Sequence, residues 1–408
     1  MNAYFKYRIL TIIVFSTYIF WGSFGVDLTL HPTSERIPLH RVFILLTAFI
    51  FLFNVQQVIN ACLKNKLLIS LIIYILFSAG WAENGAAVIK NFIFLSSSLI
   101  ISIMTALAYN NNKPALIRRL FWLFLLMVLA SILTALYFPK VGINTLDFGK
   151  PRWIGISAHP NGLGTQALAL VWLSSNLFFL SKSTVEKAII ICAVIAAFFT
   201  IVKADSMTSL ITSLIVLSYT CYCYILGKMS MSVKFGVFFI VIMVLFFIGV
   251  FYMNATEMTD AAMESTGRDT SFTGRSILWE KGLSAVADNL IFGYGFDDLE
   301  QLTKKYHIVM SHLHNGYVET LVKGGLIASM LLFVILVKTF INQLIIKSTH
   351  KQEFVFLSSG LIIVLLHNVT ESSILRGLST LGIFLIFIIV STSLVPQNYI
   401  DNSSLKDQ

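Results

Sequence analysis

Apolar runs of membrane-spanning length follow one another through this chain, separated by short basic turns, and they leave it few ways to fold. A run of about 20 apolar residues crosses a bilayer as a helix. A backbone inside lipid must satisfy its own hydrogen bonds, which a helix does. The runs lie near Ile9–Val26, Arg41–Cys62, Leu67–Trp81, Val88–Tyr109, Leu116–Phe138, Gly162–Leu180, Val185–Val202, Met207–Leu226, Val233–Met253, Gly325–Ile346, Phe354–Asn368 and Leu375–Leu394. Counted this way, the chain is an all-α polytopic membrane protein of about twelve transmembrane helices. Residues 1–253 would carry nine N-terminal spans and 254–324 a large outer loop with an amphipathic helix. Residues 325–395 would carry three further spans, and 396–408 form a polar tail.

Composition excludes the soluble classes. Of the 408 residues 57% are hydrophobic and 12% charged, whereas a soluble domain carries roughly 25% charged residues. The net charge of +9 does not indicate a nucleic-acid partner, because the Lys and Arg are scattered between apolar runs rather than gathered on one face. Cys62, Cys192, Cys221 and Cys223 fall in or beside apolar runs and read as buried thiols. A metal at Cys221 and Cys223 would need two more ligands, and none stands nearby.

Orientation follows from the basic turns. With the N-terminus in the cytoplasm, Lys6 and Arg8, Lys64 and Lys66, Lys113, Arg118 and Arg119, Lys182 and Lys187, Lys228 and Lys234, and Lys347 and Lys351 all face inward. Both termini are then cytoplasmic. The first run is too long for a signal-peptide core and reads as a retained span. Asp27–His40, Pro139–Asn161 and Asn254–Asn315 fall outside.

The last of these segments opens the polar interval in which chemistry is expected. Thr273 can cap a helix running to about Asp288, with Ile277, Leu278, Leu283 and Val286 on a partly apolar face. Gly293 and Gly295 make a tight turn. Asn315 is a good N-cap with Glu319 in the turn that follows. His314 would then stand at a helix N-terminus, where the partial positive charge disfavours imidazolium and leaves a ring able to accept a proton. That suits a general base; a histidine that only caps or packs at the membrane surface is the plainer alternative. Arg152, Arg275 and Arg376 lie on the side where the positive-inside rule predicts few arginines. A guanidinium matches phosphate oxygens bidentately, so three of them beside histidines point to an anionic lipid-linked substrate, against snorkelling side chains as the alternative. Asp297, Asp298 and Glu300 could hold a divalent metal but lack a completing ligand set and read better as a solvated turn. Lys203, Asp205 and Glu371, at membrane edges, could form a proton or ion path.

The ordered set of Gly274-Arg275 with Trp279, Asn289 through Gly295, His314, Asn315 and Tyr317, then Gly325, preceded by His159 to Gly164 and Asp205 to Ile211, resembles the O-antigen ligase and polymerase superfamily. The resemblance covers the second half to two-thirds of the chain. It implies a GT-C-like glycosyltransferase of the bacterial inner membrane, working at the periplasmic face by inverting transfer without metal or other cofactor. The donor would be a glycan on undecaprenyl pyrophosphate. The partners are such lipid-linked oligosaccharides, membrane lipids and a candidate chain-length regulator protein. By the same resemblance Arg275 holds the pyrophosphate and His314 activates the acceptor, as the catalytic pair. Arg152, His159, Asn161, His312, Asn315, Tyr317 and Arg376 are the substrate-binding candidates. Ligases often carry an arginine where this chain has Ser206. That departure favours an O-antigen or capsule repeat-unit polymerase over a ligase acting on lipid A core, with Arg152 as a candidate for the missing arginine's task. A transporter of lipid-linked oligosaccharide is the alternative from another class; its expected repeated halves are not visible.

Overall fold

A computed structural model describes residues 11, 15, 39–110, 112–145, 151–157, 159–225, 273–297, 299, 302, 305–308, 312–377 and 379–394. The helices are α1 (Leu39–Leu52), α2 (Val55–Lys64), α3 (Lys66–Phe77), α4 (Gly85–Ala108), α5 (Lys113–Tyr137), the single turn α6 (Pro139–Gly142), α7 (Pro160–Leu180), α8 (Thr184–Lys203), α9 (Met207–Tyr224), α10 (Thr273–Asp288), α11 (Gly316–Thr349), α12 (Lys351–His367) and α13 (Thr380–Leu394). A two-residue hairpin pairs β1 (Ile143–Asn144) with β2 (Arg152–Trp153) antiparallel. Among the described residues the protein is all-α apart from this hairpin, and it is a multi-pass membrane protein.

The count of twelve spans is corrected. Among the described residues, six helices are long and apolar enough to cross a membrane: α4, α5, α7, α8, α9 and α11. A bent pair, Ile44–Leu52 with Val55–Lys64, makes a seventh if it is one span. The expected runs Ile9–Val26, apart from Thr11 and Phe15, and Val233–Met253, like the tail 396–408, fall outside the described residues. Elsewhere the apolar run and the helix have different lengths. The run Arg41–Cys62 is bent by 97° at its middle, where Asn54 Nδ2 donates to Ile50 O at 2.8 Å. The run Leu67–Trp81 ends as a helix at Phe77 and continues as a 3-10 turn, Ser78–Gly80. At about 1.5 Å per residue, the 17 residues of α12 and 15 of α13 fall short of a core about 30 Å thick. The start of the last run, from Leu375, is used instead in a loop.

Burial explains why hydropathy misjudged these segments. α13 is buried along nearly its whole length, as is α7 through Trp172. Trp172 stacks on Phe356 at 4.8 Å and meets Phe384 edge-on at 5.1 Å, so α7, α12 and α13 share one aromatic core. A helix apolar all round is enclosed either by lipid or by protein, and the sequence does not say which.

α11 starts at Gly316 rather than Gly325 and is broken at Gly325, whose φ of 60° and ψ of −162° are open only to glycine. The loop after α10 docks into this break. Tyr294 N donates to Val322 O at 3.0 Å, Gly295 N to Lys323 O at 2.8 Å, and Leu326 N to Leu290 O at 2.9 Å. A side chain at Gly293 would stand 2.5 Å from Lys323 O. The paired glycines expected to form a turn thus let one backbone lie against another. α10 packs on the first half of α11 and on the residues just before it through Leu278, Ala285, Val286, Leu313 and Val322.

Candidate active site

Glu371 is the hub of the polar centre. It sits in the loop joining α12 to α13, and Asn368 makes that loop rigid. Asn368 Oδ1 accepts from Ser373 N at 2.8 Å and Ile374 N at 3.1 Å, while its Nδ2 donates to Val364 O at 2.7 Å. The first residue of α11 is seated on the same loop: Gly316 N donates to Asn368 O at 2.9 Å and to Glu371 O at 3.1 Å. A methyl group at Gly316 would lie 2.4 Å from Asn368 Oδ1. The glycine therefore allows the contact that brings the His314 segment against Glu371.

Side chains from several elements converge on this carboxylate. Arg275, from the first turn of α10, places Nη2 3.2 Å from Glu371 Oε1 and donates from Nη1 to Thr370 O at 3.0 Å. His314 places Nδ1 3.4 Å from Glu371 Oε2, an ion-pair distance without hydrogen-bond alignment. Its φ is 50°. Asn161 Nδ2 donates to Glu371 Oε1. Burial pushes the Glu371 carboxyl up, but His314, His367 and Arg275 outweigh it and hold the group down at about 2. It is an anion at any working pH. His312 lies beside His314, with ring centroids 4.1 Å apart and the rings tilted by 53°. Burial, the neighbouring His314 and Arg376 depress it to about 4, so it is neutral.

The remaining candidates fall into two groups. Arg152, Asn161 and His159 form a second polar chain. Arg152 is buried and donates from Nε to Ala204 O at 3.0 Å and from Nη2 to Asp205 O at 2.8 Å and Asn161 Oδ1 at 3.1 Å. It thus lies against the turn that carries Ser206. Asn161 links Arg152 to Glu371, and His159 caps α7 by accepting at Nδ1 from Asn161 N at 3.2 Å. Asn315 and Tyr317 hold the scaffold. Asn315 Oδ1 caps α11 by accepting from Tyr317 N and Val318 N, both at 3.0 Å, and Tyr317 OH donates to Leu365 O at 2.8 Å.

A cavity of about 510 Å³ opens beside this centre, lined by Lys90, His159, Asp297, Lys323 and Arg376 among others. Arg376 faces it, exposed, with Nη1 on Ser372 O at 3.3 Å. Asp297 does not present a free carboxylate there: its oxygens accept from Leu299 N at 3.0 Å and Asn84 N at 3.3 Å. Asp298 and Glu300 lie outside the described residues. Of the proton-path candidates, Lys203 covers the Trp153 and Phe199 rings, at 6.0 and 5.8 Å, and Asp205 faces Arg152 at 3.9 Å. Glu371 is joined to Asp205 through Asn161 and Arg152.

Sequence reasoning placed Glu371 on an ion path and did not single out His367, whose Nε2 is 3.2 Å from Thr165 Oγ1. The available signal was an acidic residue in a short Asn- and Ser-rich interval just upstream of Arg376.

Residues 191–333 match the family described as O-Antigen ligase, Wzy_C. The match contains Arg275 and His314 and ends before Glu371. The chain is also 25% identical over 225 residues to the exopolysaccharide production protein ExoQ of Rhizobium meliloti, covering 52% of this chain and 51% of that one. It is 29% identical over 100 residues to an uncharacterized protein of Haemophilus influenzae, covering 22% and 25%. The chain thus spans about half and a quarter of the length of these relatives. These likenesses are to a family described as O-Antigen ligase and to an exopolysaccharide production protein.

Proposed function

We propose that this protein is a polysaccharide polymerase of the bacterial inner membrane. It transfers a glycan from an undecaprenyl-pyrophosphate carrier to a hydroxyl of another lipid-linked repeat unit, at the periplasmic face and with inversion. The carrying observation is the placement of Arg275 and His314 against the two oxygens of a single half-buried carboxylate, Glu371.

The chemistry follows from that placement. Glu371 faces Nδ1 of His314 and favours the tautomer with hydrogen there, leaving Nε2 to take the acceptor's hydroxyl proton, as a positioned base does. The acceptor oxygen bonds to the sugar's anomeric carbon as the bond to pyrophosphate breaks. Pyrophosphate departs as an anion, so the step needs positive charge more than an acid. A guanidinium has five donors, and the two bonds of Arg275 to Thr370 and Glu371 leave others to meet the charge that develops. Asn161, steadied by Arg152, holds Glu371 at Oε1, the oxygen that Arg275 also meets. The neighbouring cavity with Arg376 and His159 is the place for the acceptor glycan. A chain-length regulator remains a partner proposed from the superfamily.

The polymerase reading rests on Ser206 standing where ligases often carry an arginine, and on the exopolysaccharide role in the name of ExoQ. The ligase reading is kept because the matched family bears that description. Purified protein given a lipid-linked repeat unit should build a ladder of chains, and His314→Ala and Arg275→Ala should insert normally and build none. Ladders from both variants would overturn the proposal. Gene deletion separates the two readings: a lost polymerase leaves single repeat units on the core, a lost ligase leaves polymer on the carrier. A cysteine placed at Lys305 and labelled by an impermeant maleimide from the outer side tests the proposed periplasmic face.

A further inference from the structure

The pair of histidines beside Glu371 has a second chemical capacity that proton transfer does not use. One ring nitrogen each from His312 and His314 and one Glu371 oxygen lie within 4.8 Å of one another. His314 Nδ1 and Glu371 Oε2 are 3.4 Å apart. Zinc bonds of roughly 2.0–2.1 Å set tetrahedrally place two ligands about 3.3 Å apart, so this edge is already at ligand spacing. His314 Nδ1 is buried and makes no aligned hydrogen bond, although a carboxylate oxygen is in reach. Glu371 is fixed by Arg275 and Asn161 through its other oxygen, Oε1, which leaves Oε2 open.

We propose that His312, His314 and Glu371 form a binding site for a borderline divalent cation of the zinc class, and that an ion held there blocks glycan transfer. The donor set of two imidazoles and one carboxylate suits Zn²⁺, Ni²⁺ and Cu²⁺, not Mg²⁺ or Ca²⁺, which seek oxygen. Arg275 sharpens this preference. Its charge offsets that of Glu371, so attraction to a bare divalent charge is weak and the imidazole lone pairs supply the affinity. The block follows from the tautomer. An ion on Nδ1 of His314 sends the ring hydrogen to Nε2, and a nitrogen bearing hydrogen cannot take the acceptor's proton. Cation binding itself is independent of the proposed reaction; only the block rests on it.

The test begins with binding. Purified wild-type protein is titrated with ZnCl₂ by calorimetry and with CoCl₂ by visible absorption. One high-affinity equivalent is expected, with tetrahedral or five-coordinate cobalt bands and no response to MgCl₂ or CaCl₂. His312→Ala and His314→Ala should each weaken zinc binding at least 10-fold, while His307→Ala, an exposed histidine elsewhere, leaves it unchanged. Equal binding by all three variants, or a magnesium response as strong as that to zinc, overturns the site. In the elongation assay, micromolar zinc should stop chain growth and EDTA restore it. Full elongation with the site demonstrably loaded overturns the block. Failure of the protein to elongate at all would instead remove the proposed function and leave the calorimetric result standing.

Discussion

Two arginines, Arg275 expected in the catalytic pair and Arg152 among the substrate-binding residues, sit in opposite circumstances on either side of Asn161. Arg152 is 7% exposed, and its guanidinium is taken up by two backbone carbonyls and the Asn161 side chain. The Arg275 side chain keeps 30% of its surface and ends on Glu371 beside His314. A buried charge with its donors occupied acts through what it holds in place. A half-exposed one against an anion can change partners when a more highly charged anion arrives. We therefore assign substrate contact to Arg275 and positioning to Arg152.

The sharpest way to break that comparison is at the shared carboxylate. Glu371→Ala removes the partner of both Arg275 and His314, and elongation should fall at least ~100-fold with the protein still inserted, in the range usual for lost base catalysis and charge stabilisation. Arg275→Ala should match it. Chain ladders of ordinary length from Glu371→Ala would end the hub reading. Gly316→Ala should come next. Its new methyl meets Asn368 Oδ1 at 2.4 Å, so the start of α11 must lift from the loop and carry His314 with it. Displacement of a catalytic group by about 1 Å can cost ~10²-fold, and a loss of ~10-fold or more in kcat with little change in KM is expected. A change in KM alone would mean that His314 keeps its place.

Arg152 supplies the contrast. Arg152→Ala leaves the Ala204 and Asp205 carbonyls and Asn161 without their donor, at a cost on the order of 1–3 kcal/mol. Its readout is a lower unfolding temperature in detergent, with elongation per folded molecule within a few-fold of wild type. A fully stable Arg152→Ala protein that cannot elongate would exchange the roles of the two arginines.

How much of this was legible beforehand depends on the kind of signal. The helix starts beside Arg275 and His314 could be read because they are local patterns: at the second, Asn315 accepts from Tyr317 N and Val318 N within its own turn. Glu371 could not, since its importance comes from residues 161, 275 and 314 meeting it across the fold, and no local pattern encodes that meeting. The span count failed for a related reason. Hydropathy records whether a stretch avoids water, and α13 avoids it inside the bundle. The break at Gly325 was likewise hidden, because its cause is the docking of Leu290 and Tyr294 from another segment. The bend at Asn54 was more accessible, since an amide that bonds back to Ile50 within its own turn is a local event.

The smallest expected effect concerns His312, which faces His314, Arg376, Glu319 and Glu371. Its folded value of about 4 lies below an ordinary histidine near 6.5. The unfolded chain therefore takes up the proton first as pH falls. The stability tied to a neutral His312 is complete above about pH 6.5 and drains away as pH drops towards 4. In His312→Gln that slope should flatten when unfolding temperature is followed across this window. The acid limb of elongation should stay where it is, because a group still neutral at pH 5 cannot set a limb above it. A limb that moves with His312→Gln would mean that this ring titrates in the working range, and the division of labour between the paired histidines would have to be reversed.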